Sequence, residues 1–121
     1  MVDYRKYLVW QKSHALVLEM YRVTVTFPKS EQFNLISQIN RASLSIPTNI
    51  AEGCGRETQK ELIRFLYISS GSAHELEYLL LVSRDLNFIP ENIYLKLNSD
   101  INEIKKMLAS LIRKVAQTVN R

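Results

Sequence analysis

Hydrophobic residues recur at steps of three and four along most of the chain, which is the spacing of one helix face. The two clearest runs lie in the second half of the chain. Their members are Leu62, Phe65, Ser69, Ser72, Leu76, Leu79, Ser83 and Leu86, then Leu97, Ile101, Ile104, Leu108, Leu111 and Val115. Such steps keep one seam against a neighbouring helix at a shallow crossing angle of about 20°. The pattern therefore predicts long helices packed side by side.

Prolines, glycines and capping residues divide the chain into four predicted helices. The first helix, over about residues 9–26, ends before Pro28, because the residue that precedes a proline is pushed out of helical geometry. Ser30 is the predicted N-cap of the second helix, and Gly53 and Gly55 are predicted to end it.

The third and fourth helices have start signals of their own. Thr58 and Glu61 form a capping box that opens the third helix, which extends to about Leu86. Pro90 suits the first turn of a fourth helix that runs nearly to the C-terminus. Because the connections are short, the sequence predicts an all-α, up-down-up-down antiparallel four-helix bundle. A hydrophobic content of 46% in 121 residues supports one core, so residues 1–121 form a single domain.

Pro47 lies inside the hydrophobic pattern of the second helix. Proline lacks the N–H that would bond to the carbonyl of Ser43, and its ring crowds that same carbonyl. We therefore expect a kink in the second helix at Pro47. Small residues occupy the middle of the third helix, Ser69–Ala73, and Ala42 and Ser43 lie in the second. These two helices are predicted to approach each other closely.

Several short motifs stand out along the chain. They are Trp10 with the following Gln-Lys-Ser-His-Ala, Phe27-Pro28, Glu31-Gln32-Phe33, Arg41-Ala42, Ser45-Ile46-Pro47, the Asn-Ile-Ala-Glu-Gly run from Asn49 to Gly53, Phe65-Leu66, Gly71-Ser72, Glu75-Leu76-Glu77, Met107-Leu108 and Leu111-Ile112. Together they resemble a bacterial family of small four-helix bundles, the 23S rRNA-intervening sequence proteins. Asn87 departs from the glycine that is usual in the family, but asparagine also tolerates the left-handed conformation of a helix C-cap.

The resemblance implies a homopentamer built around a central channel. It also extends to the accessory variability determinant proteins of diversity-generating retroelements, in which a basic surface engages nucleic acid and a reverse transcriptase. The resemblance therefore implies three kinds of partner: other copies of this chain, RNA or DNA, and a protein that processes nucleic acid.

A polar seam follows the family motifs on the second and third helices. Its residues are Gln38, Arg41, Ser43, Pro47, Asn49, Glu52, Gly53, Gly71, Ser72, Glu75 and Glu77. In an antiparallel pair Arg41 comes near the far end of the third helix, so we expect it to pair with Glu75 or Glu77. Two carboxylates only two residues apart point in different directions on a helix and make a poor catalytic pair. A structural ion-pair network is therefore favoured over a recognition or acid/base site.

No sequence pattern indicates metal, cofactor or nucleophilic chemistry. Di-iron bundles use Glu-x-x-His motifs, whereas His14 and His74 follow Gln11 and Gly71 at that spacing. Cys54 is the single cysteine, so it forms no internal disulfide, and no histidine lies near it in sequence to act as a base. We therefore expect a non-enzymatic protein without a metal or organic cofactor.

The formal net charge of +4 is a modest excess, and its distribution is more informative. No acidic residue follows Glu103, and an up-down-up-down bundle places the two termini side by side. The basic residues predicted to contact nucleic-acid phosphates are Arg5, Lys6, Lys12, Lys105, Lys106, Arg113, Lys114 and Arg121. The alternative is an ordinary solvated surface, because basic residues near a helix C-terminus also offset its dipole.

Two functional hypotheses follow. The first is a non-enzymatic homo-oligomer, pentameric as the resemblance implies, that binds RNA, DNA or a nucleic-acid-processing protein through its basic surface. The second is a protein–protein interaction scaffold with no role in nucleic-acid binding. No segment approaches the ~20 apolar residues of a membrane span, and no signal peptide is evident, so a cytoplasmic location without membrane contact is expected.

Overall fold

A computed structural model describes residues 2–119. Over that range the chain forms four α-helices and no strand: α1, Leu8–Thr24; α2, Leu35–Cys54; α3, Gln59–Asp85; and α4, Glu91–Val119. Two short 3-10 turns, Tyr4–Lys6 and Lys29–Glu31, precede α1 and α2. The predicted all-α four-helix bundle is confirmed.

Contacts near the helix ends establish the direction of each helix. Asn40, in the first half of α2, donates a hydrogen bond to Thr24 at the end of α1 over 3.4 Å. Gln59, the first residue of α3, donates to Thr118 near the end of α4 over 3.5 Å. Each helix runs opposite to the one before it, so the topology is up-down-up-down.

Aliphatic side chains fill the centre of the bundle along its whole length. The largest hydrophobic side chains with almost no exposure are Met20, Ile39, Ile46, Ile50, Leu66, Leu76, Leu80, Leu97, Ile101, Ile104 and Leu108. The predicted seams of α3 and α4 supply many of them. Leu86 is an exception, because α3 ends at Asp85 and Leu86 is its exposed C-cap.

The second and third helices approach each other closely, as their small residues predict. Ser69 donates a hydrogen bond from α3 to the carbonyl of Ile46 in α2, over 2.9 Å. That carbonyl directly precedes Pro47, which is buried, and α2 continues past the proline to Cys54. Gly55 is the C-cap of α2, as predicted, whereas Gly53 lies within the last turn and does not itself end the helix. The role of Gly53 is to admit the neighbouring helix.

Of the two predicted N-caps, Thr58 is confirmed and Ser30 is wrong. The Thr58 hydroxyl accepts a hydrogen bond from the Glu61 N–H over 3.1 Å, as expected for the N-cap of α3. Ser30 does not cap α2, because it belongs to the Lys29–Glu31 turn and α2 begins only at Leu35. The 3-10 turn comes first, so α2 begins about one turn later in the sequence than predicted.

Asn87 occupies the left-handed position predicted for it, with φ of 63°. Its N–H bonds to the carbonyl of Arg84, and the N–H of Phe88 bonds to the carbonyl of Ser83, both over 2.9 Å. This pair of bonds is a Schellman motif. It directs Phe88 onto Phe27 in the α1–α2 connection, where the ring centroids lie 5.5 Å apart.

Replacing Asn87 tests this C-cap. Asn87→Ala is expected to lower the free energy of unfolding by about 1 kcal/mol, because a Cβ-bearing residue without a local polar group is strained in the left-handed region. Asn87→Gly is expected to be as stable as the original protein or more so. Urea unfolding measures both variants, and equal destabilisation by alanine and glycine would contradict the strain argument.

Replacing Gly53 tests the close approach of α2 and α3. A Cβ added at Gly53 would lie 2.9 Å from both Leu62 Cδ1 and Phe65 Cβ. Gly53→Ala is therefore expected to lower the free energy of unfolding by about 1–3 kcal/mol, despite the better helix propensity of alanine. Gly55→Ala is the matched control, since its nearest neighbour would be 3.4 Å away. Chemical denaturation should show a clear loss only for the change at Gly53.

Candidate nucleic-acid interface

Packing of α4 directs basic residues of its C-terminal half outward, on the part of the helix that lies beside the start of α1. The apolar positions of α4 recur at steps of three and four and bury one face, which leaves Lys106, Arg113 and Lys114 on the exposed side. The Tyr4–Lys6 turn is closed by Asp3, whose carboxylate accepts the Arg5 N–H over 3.0 Å. This turn places Lys6 beside α4.

Lys6 and Lys114 line the same groove between the start of α1 and the C-terminal half of α4. Its volume is about 380 Å³, and its remaining walls are formed by Tyr7, Leu8, Val9, Met107, Ser110 and Leu111. The two ammonium groups therefore flank a shallow, largely apolar surface. Neither lysine forms an ion pair with any residue from 2 to 119.

Lys106 and Arg113 extend this charge along the outside of α4. They are seven residues apart, so they share one helix face and are separated by about 10 Å along the axis. Within the part of the chain that the structure describes, neither contacts a carboxylate. Lys6, Lys106, Arg113 and Lys114 are defined here as the basic surface.

Three other basic residues of the predicted nucleic-acid surface form ion pairs with carboxylates of the same chain. Arg5 pairs with Asp3 through two hydrogen bonds of 3.1 and 3.0 Å. Lys12 Nζ lies 3.5 Å from Asp100 Oδ1 and 3.3 Å from Glu103 Oε2, which joins α1 to α4.

Lys105 Nζ lies 2.9 Å from Glu77 Oε1 and joins α4 to α3. Arg5, Lys12 and Lys105 each already have a carboxylate partner within the molecule, so they are less available to phosphates than the unpaired cations. Their contact with nucleic acid stays a prediction. Arg121 lies outside the described residues.

Lys60 lies near the end of α4 and is a further basic residue that the sequence analysis did not include in the predicted nucleic-acid surface. It follows Gln59, whose side chain reaches Thr118 in α4, and it forms no ion pair with residues 2–119. The sequence could have placed Lys60 in this group. The capping box at Thr58 marks the start of α3, and an antiparallel bundle brings that start beside the end of α4.

The polar seam contains a hydrogen-bonded centre between α2 and α3. Ser72 donates to the Ser45 hydroxyl over 2.8 Å, and Asn49 Nδ2 donates to the hydroxyl and the carbonyl of Ser45, each over 2.8 Å. All three side chains are partly buried. With the Ser69 bond to Ile46, they fix α2 against α3 and leave no acid or base in the contact.

The ion pair expected between Arg41 and the third helix is absent from the described residues, so that prediction is wrong. Arg41 and Glu75 are both exposed and have no ion-pair partner between residues 2 and 119. Glu77 lies on the flank of α3 that faces α4, where it meets Lys105. Because Glu75 and Glu77 are two residues apart, they lie on different sides of α3: Glu77 faces α4, and Glu75 faces outward.

The remaining seam residues make local contacts. Gln38 donates to the Asn34 side chain over 3.3 Å, Ser43 donates to the Asn40 carbonyl over 3.1 Å, and Glu52 accepts from Arg56 over 3.0 Å. These bonds link residues three or four positions apart on one helix. The seam therefore stabilises structure. It does not converge on a common ligand.

The shifted pKa values of Glu77 and Cys54 bear on the chemistry of this region. The hydrogen bond from Lys105 lowers the pKa of Glu77, and partial burial opposes that shift without cancelling it. Burial raises the pKa of the Cys54 thiol. A raised thiol pKa is the opposite of what an activated nucleophile needs, so Cys54 is a packing residue.

Within residues 2–119, no group of three or more histidine, cysteine or carboxylate side chains is arranged to hold a metal ion. His74 Nδ1 contacts the carbonyl of Ser70 in its own helix over 2.8 Å. His14 stacks on Trp10, with ring centroids 5.0 Å apart. None of the helices in the described range combines enough length and apolar character to cross a membrane.

Comparison with known proteins agrees with the fold and with the sequence motifs. The profile of the 23S rRNA-intervening sequence protein family matches residues 5–110. The solved structure of a protein of unknown function, from the S23 ribosomal protein family of Bacteroides thetaiotaomicron, is similar with a TM-score of 0.81. The two are 28% identical, and the match covers 88% of this chain and 96% of that one. No curated protein matches the sequence.

The Glu77–Lys105 pair makes stability depend on pH. Because the pKa of Glu77 is lower in the folded state, the pair stabilises the fold above the ordinary glutamate pKa and is lost as pH falls through the lowered value. Glu77→Gln is expected to reduce the free energy of unfolding by about 0.5–1 kcal/mol at pH 7 and to have a smaller effect at pH 3. Urea unfolding at both pH values measures this difference.

Glu57→Gln is the control for that experiment, because Glu57 is exposed and forms no ion pair with residues 2–119. A difference for Glu77→Gln that is equal at pH 7 and pH 3 would contradict an electrostatic origin.

Proposed function

The chain belongs to the 23S rRNA-intervening sequence protein family, and from that premise we propose that it is a non-enzymatic homo-oligomer that binds nucleic-acid phosphates. The phosphates contact the basic surface, Lys6, Lys106, Arg113 and Lys114. A ring of copies, pentameric as the family resemblance implies, displays that surface several times. The biological partner is then RNA or DNA, or a protein that processes it.

The observation that carries this proposal is the grouping of four cations without intramolecular partners. A lysine paired with a carboxylate attracts a phosphate less strongly, because the neighbouring negative charge partly cancels its own. Lys6 and Lys114 flank one groove, and Lys106 and Arg113 follow the adjacent face of α4. Their arrangement supports contact with a phosphate chain at several points.

Such contacts supply affinity without reading sequence. Neutralising phosphates releases condensed counterions, so affinity falls as salt concentration rises. Phosphate contacts carry no base information directly, so binding through them is expected to tolerate different base sequences. A closed ring repeats the same weak contacts around its axis, so the contacts add through avidity.

A second function is favoured by a different observation. Tyr67 and Tyr78 are exposed on the outer face of α3, and Phe33 is exposed in the α1–α2 connection. Exposed aromatic residues are typical of protein–protein contacts. A scaffold that binds only proteins would use these residues and would leave the basic surface solvated.

Arg113→Gln combined with Lys114→Gln tests nucleic-acid binding. The affinity for a single-stranded RNA oligonucleotide is measured by fluorescence anisotropy between about 50 and 200 mM salt. The double change is expected to weaken binding and to flatten the log–log salt slope by about 1.4, since each lost phosphate contact removes about 0.7. Different homopolymers should bind the original protein with similar affinities.

Lys29→Gln combined with Arg41→Gln is the matched control. It removes the same charge from two unpaired cations that lie towards the opposite end of the bundle. An equal loss of slope in the control would mean that binding follows net charge alone. An unchanged slope in both double variants would establish the basic surface as merely solvated and would favour the protein scaffold.

A further inference from the structure

Gly71 lies in the middle of α3, on its exposed side, and a Cβ added there would meet nothing within 4 Å. Glycine is the poorest helix former after proline, so its presence at an open position weakens the helix without a benefit inside the subunit. Gly53 has the opposite surroundings, since a Cβ there would collide with α3. The space beside Gly71 is therefore available to something outside the subunit.

The residues around Gly71 form a second heptad on the outer face of α3. Exposed positions recur at steps of four and three, namely Arg64, Ile68, Gly71, Glu75 and Tyr78. Tyr78 keeps 63% of its surface exposed. The inward face of α3 already packs on α2 and α4, so these positions are an additional seam, defined here as the α3 outer seam. Ile68 and Tyr78 are large hydrophobic side chains left exposed on this face, and exposed apolar surface of this kind often marks a contact with another protein.

The first helix carries a seam of the same type. Exposed positions at steps of three and four are Leu8, Gln11, Ala15, Leu18 and Arg22, followed by the C-cap Val25. Leu18 is 46% exposed and Val25 83%. This set is defined here as the α1 outer seam. Its inward neighbours, among them Leu16, Val17 and Met20, are buried in the core.

The two outer seams are complementary in shape and charge. Leu18, Arg22 and Val25 stand at the same steps as Gly71, Glu75 and Tyr78. A register that places the Leu18 side chain in the notch at Gly71 also places Arg22 beside Glu75, which has no ion-pair partner within residues 2–119. Arg22 already pairs with Glu19 over 2.9 Å, so Glu75 would complete a three-charge group.

Topology allows these seams to meet only between copies. Because α1 and α3 are separated by α2 and α4 in the bundle, their outer faces point away from each other. They run in the same direction, so a rotation about an axis parallel to the bundle brings α1 of one copy alongside α3 of the next. Two different faces that meet head to tail form a ring when the rotation closes.

We propose that the α1 outer seam of one copy packs against the α3 outer seam of the next copy, with Gly71 admitting Leu18 at the centre of the contact. This interface rests on the proposed homo-oligomer and assigns the surfaces that hold it together. The contact borders the basic surface, since Leu8 of the α1 outer seam also lines the groove that holds Lys6 and Lys114.

Complementary substitutions test the head-to-tail arrangement by light scattering without nucleic acid. Gly71→Glu and Leu18→Glu each place a charge on one seam at an exposed position, where the fold of the subunit tolerates it. Each variant alone is expected to be monomeric, because neither can supply both faces. An equimolar mixture is expected to double the mass, since each variant retains the face that the other needs.

Leu95→Glu is the matched control, because Leu95 is a similarly exposed residue, at 56%, on α4 and outside both seams. It should keep the mass of the original protein, and circular dichroism should show that all three variants are folded. The interface is wrong if either seam variant assembles normally or if the mixture stays monomeric. A monomeric original protein would overturn both this interface and the proposed assembly, whereas salt-insensitive RNA binding would overturn only the nucleic-acid role.

Discussion

The close contact between α2 and α3 is the constraint on which the rest of the bundle depends. Gly53 brings the end of α2 to within contact distance of the start of α3, where a Cβ would lie 2.9 Å from Phe65 Cβ. Further along, Ser69 and Ser72 bond directly to α2. Since α1 packs on α2 and α4 packs on α3, this central pair sets the positions of both outer helices. The groove that holds Lys6 and Lys114 is a consequence of that arrangement.

Ion pairs between helices decide which cations remain available at the surface. Lys12 bridges to two carboxylates of α4, and Lys105 bridges to Glu77 of α3. These pairs are partly buried and hold α4 from both sides, so their charges act within the molecule. Of the cations without such partners in the described residues, Lys6, Lys60, Arg113 and Lys114 lie at the end of the bundle that holds the N-terminus, and Lys106 lies midway along α4. Lys12 and Lys105 therefore stabilise the bundle, while the unpaired cations remain accessible to other molecules.

Local signals in the sequence were sufficient for the fold, because each depends on neighbours within one turn. Thr58 and Asn87 adopt the predicted cap geometries for that reason. The candidate site was only partly predictable, since Lys12 and Asp100 are 88 residues apart and their pairing depends on how α1 faces α4. The expected Arg41 pair failed for a related cause: which flank of α3 Glu77 occupies is settled by helix rotation.

Within residues 2–119, the unpaired cations at the end of the bundle that holds the N-terminus, Lys6, Lys60, Arg113 and Lys114, outnumber the one unpaired carboxylate there, Glu57, so this end carries a net positive charge. At the opposite end, the unpaired cations Lys29 and Arg41 are balanced by the unpaired carboxylates Glu31 and Glu75. A polyanion would therefore turn the molecule during approach, so that its terminal end leads into the encounter. In a ring whose axis follows the bundle, every copy would point the same way, and one rim would be electrostatically distinct from the other.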